Sequence, residues 1–386
     1  VFPPPSGQLG AGRQRYALPQ PAQVPAGATA NLFQAGLDLS YTLDLVGGNR
    51  RELEGVRAAI DYQRFQVEAT WLSLTSSVVA TAIQAASLRA QLQVTREVVA
   101  NANQSLKVIN AQVQLGALAR GALLQQQTLI AQQQAQIPPL EKALAQTRHQ
   151  LAVLAGRLPG DAGLPDFDID ALVLPRELPL SVPATLVRQR PDVRASEALL
   201  HEASAQIGVA TAALYPQITL SGGVNRQSFK IDKLFDTGTT GWSLAAGLVQ
   251  PIFNGGALQA KKRASVAAYD AAQAQYQSTV LNAFLSVANA LRAIDTDADA
   301  VTANADADRL ANEALDLVTR QYQLGAVSYL ASLDAQRTVL STRLALVQAR
   351  AARFTDTAAL FQALGGGWWN APDAVASAAS ASTATR

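Results

Sequence analysis

Cysteine and methionine are both absent from the 386 residues, and aromatic residues make up only 6% of them. Without cysteine there is no disulfide, no zinc thiolate site and no cysteine nucleophile. Basic and acidic residues nearly balance, leaving a formal net charge of +2. No basic patch interleaved with aromatics points to nucleic acid. No run reaches the ~18 uninterrupted apolar residues of a membrane helix. No signal peptide opens the chain, which begins at Val1, so a lipid anchor would have to sit on residues upstream of Val1. His149 and His201 stand in no catalytic triplet, and no phosphate loop emerges. Asp295, Asp297, Asp299 and Asp306 imitate a calcium loop only loosely, because Ala300 stands where that loop needs glycine. An enzyme is the least favoured reading, and neither a cofactor nor a metal is expected.

What is present is aliphatic and small. Hydrophobic residues reach 49%, and Ala, Leu and Gln are prominent, a mixture that favours long helices. A long repeat organises the chain. Residues 112–127, QVQLGALARGALLQQQ, match residues 321–336, QYQLGAVSYLASLDAQ, and place Gly116 on Gly325 at an offset of 325 − 116 = 209. The same offset places Leu151 on Leu360 and Gly156 on Gly365. Gly48 aligns with Gly256 if one small gap is allowed.

Each copy holds two long helical stretches. Val280, Phe284, Val287, Leu291 and Ile294 alternate steps of four and three, the seam of a left-handed coiled coil. The first copy repeats the seam at Leu92, Val99, Ala102, Leu106, Ile109 and Val113. No proline occurs between residues 49 and 115, so a helix there can run ~100 Å at ~1.5 Å per residue. Gly116 and Gly325 fall between two such helices and turn the chain, giving two very long helical hairpins. Pro138-Pro139 must break or kink the return helix of the first.

A second pattern has period two. Over residues 31–45, Phe33, Ala35, Leu37, Leu39, Tyr41 and Leu43 share one face, and Gln34, Asp38, Ser40, Thr42 and Asp44 share the other. Residues 217–225 and 242–248 alternate likewise. The same alternation suits the edge of a soluble sandwich. Carboxylates at Asp38 and Asp44 instead suit a water-filled lumen, with Phe33, Leu37, Leu39, Tyr41 and Leu43 facing lipid. Three such strands cannot close a membrane barrel, and open edges are not tolerated in lipid, so several chains must pool them.

Residues 183–220, PATLVRQRPDVRASEALLHEASAQIGVATAALYPQITL, closely resemble the central signature of the TolC-like outer-membrane efflux family, in the branch containing OprM and the NodT lipoproteins. The specific parts are Arg190, Pro191 and Asp192, Ile207 with Gly208, and YPQITL with Pro216. QPIFNGG from Gln250, the stretch from Tyr322 to Gln336, and ALGGGW from Ala363 agree in order and spacing.

The resemblance implies a fold that is mainly α with membrane β. Long α-helical hairpins form a periplasmic tunnel, and the strands join a barrel shared by a homotrimer, each protomer giving four to a total of twelve. It implies an outer-membrane location in a Gram-negative bacterium, with the tunnel reaching into the periplasm, and a periplasmic adaptor and an inner-membrane RND-type transporter as partners. The organisation expected is an external loop or disorder over 1–30, a first repeat over 31–156, an equatorial segment over 157–190, a second repeat over 191–369 and a disordered tail over 370–386. Family members carry about 100 further N-terminal residues that include opening helices and a first strand.

The resemblance also implies an aperture at the inner hairpin tip. Tyr322 matches its tyrosine and Asp334 its last aspartate, while Val327 and Ala331 stand where some members have an arginine and another aspartate. Arg190-Pro191-Asp192 is read as helix-start chemistry, since proline and an acid both favour a first turn. The function implied is the outer-membrane channel of a tripartite pump exporting drugs or other small toxic molecules. A type I protein-secretion channel and a soluble coiled-coil scaffold are the alternatives.

Overall fold

The computed structural model describes residues 4–15, 29–160, 163–175 and 188–368. The expected tail over 370–386 lies outside the described residues, as do residues 161–162 and 176–187 of the equatorial segment. The chain divides into two compact units, Val1–Tyr62 with Glu197–Gln275, and Gln63–Ser196 with Tyr276–Arg386. Helix makes up 69% of the structure.

The first unit holds a four-stranded antiparallel sheet in the order β1 (Pro5–Arg15), β2 (Thr29–Leu43), β3 (Gln217–Ser228), β4 (Thr240–Val249). Over residues 5–15, β1 corrects the expectation of an external loop or disorder, and with it the count of three strands; residues 1–3 and 16–28 lie outside the described residues. The segment escaped notice because PSGQLGAGRQR is mostly glycine and polar residues. What makes it a strand is its ladder with β2, from Pro5 opposite Leu39 to Arg15 opposite Thr29.

The register keeps one face largely apolar across the four strands, with Arg13, Arg15 and Arg226 on it toward one end. Leu9 lies opposite Ala35, Leu37 opposite Val224, Tyr41 opposite Leu220 and Leu43 opposite Ile218. Val224 then meets Trp242, and Ile218 meets Leu248. Such directly opposed pairs are the unit of sheet stabilisation.

Two helices of 67 residues follow the two halves of the sheet, α1 (Gly48–Gln114) and α5 (Ala257–Gln323). Between them come α2 (Arg120–Gln134), α3 (Ile137–Leu154) and α4 (Pro191–Ala212), and α6 (Tyr329–Ala363) ends the described chain. The repeat needs no gap. Gly47 and Gly256, both with positive φ, precede α1 and α5 at an offset of 256 − 47 = 209, the same as for Gly116 and Gly325. The two return helices differ for a local reason. Pro138 and Pro139 lie in the first turn of α3, where missing N–H groups cost nothing, and split what remains unbroken in α6.

Gly116 and Gly325 take φ of 76° and 77°, and each closes a helix end in the same way. Gly116 N donates to Val113 O and Ala117 N to Gln112 O, while Gly325 N donates to Tyr322 O and Ala326 N to Gln321 O. This is the double-bonded left-handed C-cap, in which a side chain would be strained.

Within the first unit, α4 lies close against α1. A Cβ on Gly208 would come within 2.7 Å of Arg51 Cγ, so this signature glycine is explained by close approach. Asp44 does not belong to the polar face of the strand. It lies beyond the end of β2 and caps α1, accepting from Asn49 N at 3.2 Å and Arg50 N at 3.0 Å.

Candidate functional site

The helical unit is built on three apolar clusters. In the first, Leu360 of α6 packs with Val193 of α4 and with Ala283, Val287, Ala290 and Ile294 of α5. Beside it Arg190 makes a two-pronged bond to Asp192, Nε to Oδ1 at 3.0 Å and Nη2 to Oδ2 at 2.8 Å. Its third nitrogen donates to Ala363 O, an end carbonyl of α6, at 2.8 Å. Asp192 also accepts from Val193 N at 2.9 Å. The Arg190, Pro191 and Asp192 signature therefore caps α4 and clasps it to the end of α6, where Trp368 donates to Gln189 O at 2.8 Å.

In the second cluster, Ile169 of the equatorial segment sits among Ile83, Ala86 and Ala351. Ion pairs hold the segment on both sides: Asp166 to Arg89 at 3.0 Å and Arg148 at 3.1 Å, and Asp170 to Arg350 at 2.9 Å.

The third cluster lies at the hairpin tips, where Ile109, Leu129, Tyr329 and Leu333 are buried together with Tyr322 at their edge. Tyr322 Oη donates to Gln112 Oε1 at 3.0 Å, joining α5 to α1. Tyr329 Oη donates to Gln126 Oε1, and Gln126 Nε2 donates to Ala102 O at 2.7 Å, joining α6, α2 and α1. The two tyrosine rings are 5.5 Å apart. Burial pushes both phenols above their ordinary value, and the neighbouring Tyr322 adds to the effect at Tyr329, so both hydroxyls stay protonated donors. A groove of about 500 Å³ runs between the hairpins, lined by Gln112, Tyr322, Tyr329 and Ser332 among others.

Asp334 is not part of this cluster. Its side chain is exposed and meets Arg337 at 3.6 Å, so Tyr322 and Asp334 are not brought together. Sequence reasoning missed Gln112, Gln126 and Tyr329. One signal was available: Gln126, Leu129, Ile130 and Gln133, all buried, follow the helical spacing that marks a packed face.

Leaving Gln126 Oε1 buried without its donor should cost about 1–3 kcal/mol. Tyr329→Phe is therefore expected to lower the urea unfolding midpoint, and an unchanged midpoint would show that the hydrogen bond to Gln126 adds nothing to the packing of the ring.

Farther along the second hairpin, Asp297 faces Asp356. Burial first, then a hydrogen bond to Asp356 and its charge, push Asp297 from 3.8 up to about 6, with Arg353 opposing. Its buried Oδ2 has no donor. Between about pH 4 and 6 the folded chain holds a proton that the unfolded chain has released, so stability falls as pH rises through that window. Asp297→Asn should flatten the slope in urea midpoints measured from pH 4 to 7, and an unaltered slope would assign it to another group.

The family model for outer membrane efflux proteins matches residues 4–157 and 182–366. The chain belongs to the outer membrane efflux protein family. Within it, the pyoverdine export outer membrane protein OpmQ of Pseudomonas aeruginosa is 33% identical over 340 residues, 87% of this chain and 70% of OpmQ. Nodulation protein T of Rhizobium leguminosarum is 33% identical over 358 residues, 92% of this chain and 73% of its own length. The solved outer-membrane channel OprN superposes with a TM-score of 0.88 at 26% identity, covering 95% of this chain and 82% of that one.

The fold is accordingly the TolC-like one, with hairpins that build a periplasmic tunnel and strands that enter a shared barrel. As an outer membrane efflux protein the chain is placed in the outer membrane of a Gram-negative cell and extends into the periplasm. Channels of the family are homotrimers that work with an adaptor protein and an inner-membrane transporter in tripartite pumps. The four strands of this chain equal the number that the resemblance implied for each protomer, which removes the shortfall that three strands had suggested.

Proposed function

We propose that this chain is a passive channel subunit without enzymatic activity, exporting drugs or other small toxic molecules from the periplasm through a trimeric barrel. The observation that carries the reading is that the chain holds both a sheet with an apolar band from Ile218 to Val224 and two long hairpins in a 209-residue repeat (325 − 116). A soluble coiled-coil scaffold has no use for that sheet.

On this reading Phe33, Leu37, Leu39, Tyr41 and Leu43 face lipid. The tips turned by Gly116 and Gly325 form the periplasmic entrance, with Tyr322 holding it through Gln112. Asp334 lines its rim as one half of an ion pair with Arg337. The described part of residues 157–190 belts the hairpins, and the two repeats are the structural units of the tunnel.

The test is export. In a Gram-negative strain lacking its own efflux channels, co-expression with an adaptor and an RND-type transporter should raise resistance to small toxic molecules. Restored secretion of a polypeptide without any gain in resistance would favour a protein-secretion channel instead.

A further inference from the structure

The polar face of the sheet is almost uncharged. Along the described strands it carries Ser6, Gln8, Gln34, Ser40, Thr42 and their partners on β3 and β4, all neutral. Asp38 is the one ionisable residue among them. Arg13 and Arg15, at the far end of β1, lie on the opposite side of the pleat, and Arg226 is turned to the loop, where it donates to Phe235 O and covers that ring.

Asp38 is also held in place. Gln8 Nε2, from β1, donates to its Oδ2 at 2.9 Å. On the other side its neighbour on β3 is Gly223, and a Cβ there would stand 2.5 Å from Asp38 Oδ1. The missing side chain lets the carboxylate lie along the wall. Its partner is a neutral amide, so the negative charge stays uncompensated among the described residues. The chain's other acids near functional features differ in this respect. Asp44 is used on the N-terminus of α1, Asp334 is paired with Arg337, and Asp192 with Arg190.

We propose that Asp38 is the specificity-determining residue of the barrel: three copies form a ring of fixed carboxylates that favours organic and inorganic cations over anions. The inference rests on the reading that the polar face lines the lumen. A ring of side-chain carboxylates is a general device for cation preference in a wet pore. Its reach is one Debye length, about 10 Å at 0.1 M salt, so the preference must weaken as salt rises.

These 386 residues hold no cysteine, so a single introduced thiol can be followed in them. Ser40→Cys in the assembled, membrane-embedded protein puts one thiol on the same face, two residues or ~7 Å from Asp38. Its reaction rates with a cationic and an anionic methanethiosulfonate report the local field and do not depend on the hairpin tips. The ratio of cationic to anionic rates should be roughly threefold higher with Asp38 than with Asp38→Asn at low salt, converging as salt is added. Asp38→Asn keeps an acceptor for Gln8, and Asp38→Ser serves as a second neutral variant should the first not assemble. Equal ratios with and without the carboxylate would overturn the role of Asp38 while leaving the lumen assignment intact. If Leu39→Cys reacts and Ser40→Cys does not, the register reading falls and the inference with it.

Discussion

Leu39→Arg is expected to abolish recovery of the trimer from outer membranes, whereas Ser40→Arg should leave it nearly intact. Leu39 lies in β2 between Pro5 of β1 and Gly222 of β3, on the face that also carries Leu37, Tyr41, Leu220 and Leu244. An arginine at the midplane of a lipid-facing strand costs about 2–4 kcal/mol. Three symmetry-related copies raise that to about 6–12 kcal/mol, comparable with the ~5–15 kcal/mol that keeps an ordinary domain folded. Ser40 pairs with Ser221 on the opposite face, where an arginine meets water. The readout is the heat-sensitive trimer band in membrane fractions run on gels without boiling. Equal yields for the two variants would mean that the apolar face does not meet lipid.

Leu360→Ala is expected to destabilise the helical unit by about 2–5 kcal/mol, the range for truncating a buried leucine that leaves a cavity. Leu360 is 0% exposed, and its neighbours come from three helices, so none can close the gap without moving an entire helix. Its repeat counterpart Leu151 is 3% exposed, and Leu151→Ala should fall in the same range. Asp295→Ala, on an exposed face beside Arg292, should stay within about 0.5 kcal/mol. Urea midpoints of the three variants decide the matter. A Leu360→Ala midpoint matching that of Asp295→Ala would show that this cluster contributes little to stability.

Much of this protein was legible in its sequence because the informative signals are periodic and local. Steps of three and four from Leu92 to Val113, with no proline between 49 and 115, mark a long helix with a packed seam, and strict alternation through Phe33, Leu37 and Leu43 marks a two-faced strand. Glycine at the same place in both repeats announced the turns, and a pair of prolines announced the break before α3. Belonging to a family was carried by a dense signature around Arg190 and Gly208, whose reasons proved to be a helix clasp and a close helix approach.

Tertiary structure decided what depends on partners distant in the chain. β1 has no alternation strong enough to declare it and exists because β2 supplies its ladder. Asp44 and Asp38 look equivalent in sequence, six residues apart on one face, yet one falls past the strand end and caps a helix while the other stays on the wall beside Gln8 and Gly223. Gln126 reads as one more glutamine in a polar run until Tyr329, 203 residues away, supplies its donor. Asp297 likewise meets Asp356, 59 residues away (356 − 297), only because two helices come together there. Backbone periodicity is a property of neighbouring residues and is therefore written along the chain. Hydrogen-bond partners, close approaches and uncompensated charges are properties of space, and only folding assigns them.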